Sequence, residues 1–177
     1  MTAPDWALTL AYWLHMLATV VWIGGLAALS LLILPAARKT LDHAEYAALL
    51  GDLQRRLDPL GWFSLAILAA TGLFQMSASP SYQGFLSIQN RWAAAILVKH
   101  LLFLMMGGIS GYLTWVLTPR LRRVALLQAR SREAESTDKE RSLHETTALQ
   151  RQEAFLLRVN LILGVLVLAL TALARSS

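Results

Sequence analysis

Two histidines and one lysine interrupt apolar runs of this chain. His15 lies in the uncharged stretch from Leu10 to Leu34, and Lys99 and His100 stand side by side in the stretch that follows Arg91. Imidazole is the commonest side-chain ligand for transition metals, and a titratable group in such surroundings is costly enough to be read first as functional. His15 comes nine residues after Trp6, and His100 comes nine residues after Arg91. If both runs are helices entering from one face, the two imidazoles lie at the same depth, roughly 13 Å in at about 1.5 Å per residue. Equal depth on two helices of a bundle lets two imidazoles approach one metal ion or flank one porphyrin. The bland reading of His15 is a hydrogen-bonded interior histidine.

Lys99 is about 100° round the helix from His100, so the two cannot both address one centre. A His15–His100 pair is the expected arrangement, since neutral imidazole ligates as it stands. Lys99 would then face a neighbouring helix or snorkel outward, toward an anionic group such as a haem propionate near Arg91. In the alternative, Lys99 partners His15 and must lose its proton to do so. The cofactor-binding set is therefore His15, His100, Lys99 and Arg91, with His15 and His100 as the metal pair. His43 and His144 sit in polar segments and read as solvated. Copper(I) favours thioether and imidazole donors, but Met16, Met76, Met105 and Met106 do not converge at the depth of His15 and read as packing. Arg158 and Asn160 read as interfacial anchors.

The elements that must position these groups are membrane helices. The chain of 177 residues is 56% hydrophobic with mean hydropathy +0.49, above the roughly 45–50% apolar content of soluble domains. With no cysteine, disulfides, thiolate metal sites and Cys-X-X-Cys chemistry are excluded. The charge of +5 is concentrated beside the apolar runs, where it reports topology; nucleic-acid binding is not expected. Before the first run there is no basic signal-peptide region, so that run is expected to stay in the mature protein.

Four spans are expected, at about 6–34, 60–77, 92–118 and 155–174. The first closes at Pro35, the second begins at the pairing Asp58-Pro59 and the third stops at Pro119. Leu41, Tyr46, Leu49, Leu50 and Leu53 predict a short amphipathic helix lying on the membrane surface within 35–58. Thr137-Asp138-Lys139-Glu140 fits a capping box, so residues 120–154 are expected to form a helical hairpin turning near Ser136. The 35–58 segment has four basic residues and the 78–90 loop none. The positive-inside rule therefore places both basic segments in the cytoplasm and both termini outside. The expected fold is all-α: an integral-membrane antiparallel four-helix bundle with a cytoplasmic hairpin between spans three and four. The face of span one that carries His15 also carries Ala11, Ala18, Trp22 and Gly25, small residues that suit either close helix packing or a flat ring.

Leu14-His15 with Trp22-Ile23-Gly24-Gly25-Leu26, and Arg91-Trp92 leading into Leu97-Val98-Lys99-His100-Leu101-Leu102-Phe103-Leu104, resemble the copper-resistance D (CopD) membrane family. The resemblance lies in spans one to three, with no counterpart for the 120–154 hairpin. It implies a bacterial plasma-membrane protein in copper handling. His15 and Lys99 also match positions of the HemJ-type protoporphyrinogen oxidases, small four-span proteins associated with b haem. Ile23-Gly24-Gly25 departs from their aromatic-Ala-Gly segment, and the hairpin is atypical of them. Three functions follow as expectations: copper or b-haem-linked handling, porphyrinogen oxidation, or an accessory subunit. The accessory subunit would meet a membrane redox partner, or a second copy of the chain, through the hairpin.

Overall fold

Apolar sequence in hydrocarbon can satisfy its backbone only within helices or closed barrels, and helices are what this chain forms. A computed structural model describes residues 4–79, 91–130 and 136–176, and no strand occurs among them. In order they are α1 (Asp5–Ala27), a π-helical segment (Ala28–Ile33), α2 (Leu34–Thr40), α3 (His43–Ser77), α4 (Arg91–Tyr112), a second π-helical segment (Leu113–Leu117), α5 (Thr118–Arg130) and α6 (Ser136–Ser176). Four stretches are long and apolar enough to cross a membrane: Asp5–Thr40, Ala48–Ser77, Ala94–Val124 and His144–Leu173. Most of the uncharged 78–90 loop, and residues 131–135 just before Ser136, lie outside the described residues.

The prolines do not punctuate the helices as expected. Pro35 and Pro119 are passed without a break, because each follows a π-helical segment. There the backbone N–H of Leu34 reaches Leu29 O and that of Thr118 reaches Leu113 O. A proline ring collides with the carbonyl four residues earlier and supplies no N–H. Here those carbonyls belong to Leu31 and Trp115, inside turns wide enough to admit the ring. Thr118 adds a side-chain bond from Oγ1 to Leu113 O at 2.8 Å. Pro59 does not start a helix either; it lies within α3, on an exposed face.

The short surface helix expected in 35–58 is likewise absorbed into α3. Asp42 and Glu45 form a reciprocal capping box: Glu45 N donates to Asp42 Oδ1 at 2.8 Å and Asp42 N to Glu45 Oε2 at 3.2 Å. This satisfies two otherwise orphan donors and starts the helix at residue 43. Tyr46 and Leu50 are then buried, sharing a small pocket with Leu121 and Gln150. Burial pushes the Tyr46 phenol up from its ordinary pKa, and Glu153 acts in the same direction against Arg38.

Helix α1 packs along α3 and α6, α4 along α6, and α5 along both α3 and α6. The cross-helix contacts step regularly. Ala11 meets Gln75, His15 meets Thr71 and Trp22 meets Gly61, while Ser110 meets Asn160 and Tyr112 meets Gln152. Residue numbers fall on one helix as they rise on the other. On α1 the buried set is Ala11, Ala18, Trp22 and Leu26, at spacings of seven and four that line one helical face. The opposite face is exposed and just as apolar: Met16 and Val20 are 66% and 67% accessible. An array that turns apolar side chains outward on this scale suits lipid rather than water.

Candidate functional site

His15 is half-buried on the packed face of α1, and its ring is held by α3. Nδ1 lies 2.8 Å from Thr71 Oγ1. The Thr71 hydroxyl has one hydrogen, which it donates to Ile67 O at 2.6 Å. Thr71 Oγ1 therefore accepts, and His15 Nδ1 carries the proton. The lone pair is left on Nε2, the tautomer in which a histidine ligates a metal with its far nitrogen while the near one is held by a partner. Space for the ring comes from Gly72, where a Cβ would stand 3.6 Å from His15 Cε1. One turn on, Gln75 Nε2 donates to Ala11 O at 3.2 Å and ties the same two helices together.

His100 is half-buried on α4. Its Nδ1 lies 2.7 Å from Ile96 O, and a carbonyl can only accept, so here too Nε2 carries the lone pair. Helices α1 and α4 do not pack extensively on one another, although both pack on α6. Lys99 is half-buried beside His100. Arg91 opens α4, its side chain lying outside the described residues, as does that of His43. His144 is exposed and Met16 faces outward, while Met76 and Met106 are buried in packing. No group of three or more histidines and carboxylates with metal-binding geometry occurs among the described residues.

The larger departure from expectation lies at the other end of the array. Asn160 is not an interfacial anchor: it is completely buried and donates through Nδ2 to Ser110 Oγ at 2.9 Å. Arg158 is exposed. Glu153, placed by its sequence in a charged cytoplasmic segment, is 1% accessible and accepts from Gln54 Nε2 at 2.9 Å. Among the described residues, four buried side-chain polar atoms have no hydrogen-bond partner: Trp22 Nε1, Tyr46 OH, Glu153 Oε2 and Asn160 Oδ1. Trp22, Glu153 and Asn160 all line one cavity of about 120 Å³, together with Asp58, Gln54 and Gly25. Gly61 shapes the entry of Trp22, since a Cβ there would stand 2.9 Å from Trp22 Cζ3.

Over residues 51–174, more than two thirds of its length, the chain matches the family model of copper resistance protein D. It belongs to the CopD family. The matched region shares spans two and three with the coverage expected from the motifs, but it takes in the 120–154 segment and leaves out α1. His15 therefore stands outside the matched region of this CopD-family chain, whereas Lys99, His100, Glu153 and Asn160 stand inside it. No curated protein and no solved structure matches the chain.

Proposed function

We propose that this CopD-family chain binds copper ions within the membrane through His15, with His100 as the second imidazole donor. The observation that carries the reading is the tautomer set by Thr71: it leaves His15 Nε2 as the lone-pair nitrogen, the donor that copper accepts. Copper is cargo here, and what the residues supply is orientation and exclusion of water. Haem b, the other centre a histidine pair could hold, has less support, since neither pocket described above is lined by a histidine. The test is metal analysis and an absorption spectrum of the purified full-length protein. Bound copper that is lost in His15→Ala supports the proposal. A Soret band would move the assignment to haem, and a protein with neither centre would be an accessory membrane subunit.

A second arrangement has an observation in its favour. His100 is anchored to its own helix through Ile96, which leaves the adjacent Lys99 as the other candidate on α4 to pair with His15. This is also the pairing that a HemJ-type oxidase would need. Copper retained in His100→Ala and lost in Lys99→Ala would establish it, and rescue of cells lacking protoporphyrinogen oxidase would establish the enzyme.

We infer further that the four helices form an antiparallel bundle in a bacterial plasma membrane. The stepped contacts 11/75, 15/71, 22/61 and 110/160 support this. The bias of basic residues toward 35–58 and 120–154 supports placing both termini outside and 120–154 as a cytoplasmic helical hairpin. Reporter fusions at residue 130 and at the carboxyl terminus test it; a cytoplasmic carboxyl terminus would reverse it. Capture of a redox partner or a second copy through 120–154 is read by co-purification.

A further inference from the structure

We propose that Glu153 is a reversible proton-binding site, fed by a file of water molecules that fills the cavity between it and Asn160. The proposal does not depend on copper.

Glu153 Oε1 is occupied by Gln54 and Oε2 has no partner in protein, although the residue is 1% accessible. Among the described residues the side-chain ion pair present is the exposed Arg55–Asp52 contact at 3.8 Å, so Glu153 has no ion pair. The charged and titratable groups around it are otherwise committed. Arg38, from α2, donates to Gln150 O and lies over the Tyr46 ring at 5.7 Å. Arg122, from α5, donates to Gly51 O at 2.9 Å. Asp58, from α3, lines the same cavity, as does Thr114. The polar side chains that α1, α4 and the second π-helical segment bring to this space are the neutral Trp22, Ser110 and Thr114. A buried carboxylate with one oxygen unpartnered and no ion pair is costly, and uptake of a proton or a cation relieves that cost.

Geometry decides between the two. Glu153 and Asn160 are seven residues apart on α6, on one face but roughly 10 Å along the axis at about 1.5 Å per residue. A metal ion needs several oxygens within about 2.6 Å of itself, and among the described residues no group of three histidines or carboxylates is placed to hold one. Water can span the gap. A molecule of water needs roughly 10–15 Å³ and two to four polar partners, and the cavity offers about 120 Å³. Glu153 Oε2 and Asn160 Oδ1 supply acceptors and Trp22 Nε1 supplies a donor, the three orphans that a short water file would satisfy. The step is a plain transfer: hydronium in the file gives one proton to the Glu153 carboxylate, leaving water and a neutral carboxyl, and the reverse step returns it.

The test is an infrared pH titration of the full-length protein in lipid vesicles, in light and in heavy water. The expected result is one protonated-carboxyl band that titrates with pH, shifts in heavy water and is lost in Glu153→Gln. Should that variant fail to insert, Glu153→Asp is expected to keep the titration with a displaced band. Asn160→Leu, which fills the file, is expected to slow the heavy-water shift at least about tenfold, an order-of-magnitude figure for loss of the water path. A band that stays constant with pH, survives in Glu153→Gln, or disappears only in Asp58→Asn overturns the proposal.

Discussion

The two ends of the helix array treat their polar side chains in opposite ways. Near the amino terminus, His15 Nδ1, the Thr71 hydroxyl and the Gln75 amide each meet a defined protein partner. Toward the α2–α3 turn, Trp22, Glu153 and Asn160 line a shared cavity, and each keeps one buried atom without a protein partner. In hydrocarbon both arrangements carry a cost, and they answer it differently. The first fixes one ring in one tautomer, which suits a ligand with strict directional demands. The second leaves donor and acceptor capacity open, which suits small mobile molecules.

Substitutions can break or sharpen this contrast. The largest effect is expected from His15→Ala, with essentially complete loss of bound metal, measured by mass spectrometry of the purified protein; unchanged metal content would remove His15 from the centre. Thr71→Val keeps the ring but deletes the acceptor that fixes it, and a roughly 10–100-fold loss of metal affinity is expected, the range seen when a ligand histidine loses its outer partner. Titration of the two proteins with copper(I) reads the difference, and equal affinities would mean that orientation is set elsewhere. At the cavity end, Gly61→Ala puts a methyl against the Trp22 ring. A destabilisation of about 1–3 kcal/mol is expected for such overpacking, read as a lower melting midpoint in detergent with metal content unchanged. The smallest effect belongs to Trp115→Leu. It removes a stack on Trp62 with centroids 4.9 Å apart, worth about 0.5–1.5 kcal/mol beyond area, and should leave both ends intact.

How far the sequence revealed these two ends depends on where each polar residue falls. His15 and Lys99 interrupt long apolar runs, so their cost is visible without a structure, as are the four spans themselves. Thr71 and Gln75 were not singled out, because a hydroxyl or amide one turn inside a span is common and only its partner across the helix interface gives it a role. Glu153 and Asn160 were misread for a different reason. They sit where α6 passes from a charged segment into an apolar one, and at such a border any polar residue looks solvated. The burial is created by helices distant in sequence that pack on α6, chiefly α4 with α1 and α5, while Gln54 of α3 reaches Glu153 and Ser110 of α4 reaches Asn160. The capping box at Asp42 and Glu45 was not singled out either, although its D-x-x-E spacing is local. The passage of helices through Pro35 and Pro119 was not legible, because nothing in a proline announces a widened turn before it.

Those widened turns have a consequence for how the molecule could have arisen and how it can be edited. A π-helical turn carries one residue more than the α-helical turn it replaces, so the segments 28–33 and 113–117 can each be regarded as a single-residue insertion retained within a helix. Excising one residue from the first would restore α geometry and swing everything after it by about 100°, carrying Arg38 away from Gln150 and Tyr46. The same excision in the second would swing Arg122 off Gly51. The segments thus act as phase shifters. They set the azimuth of the basic residues beyond them independently of the apolar faces before them, so each long helix answers to two alignments at once.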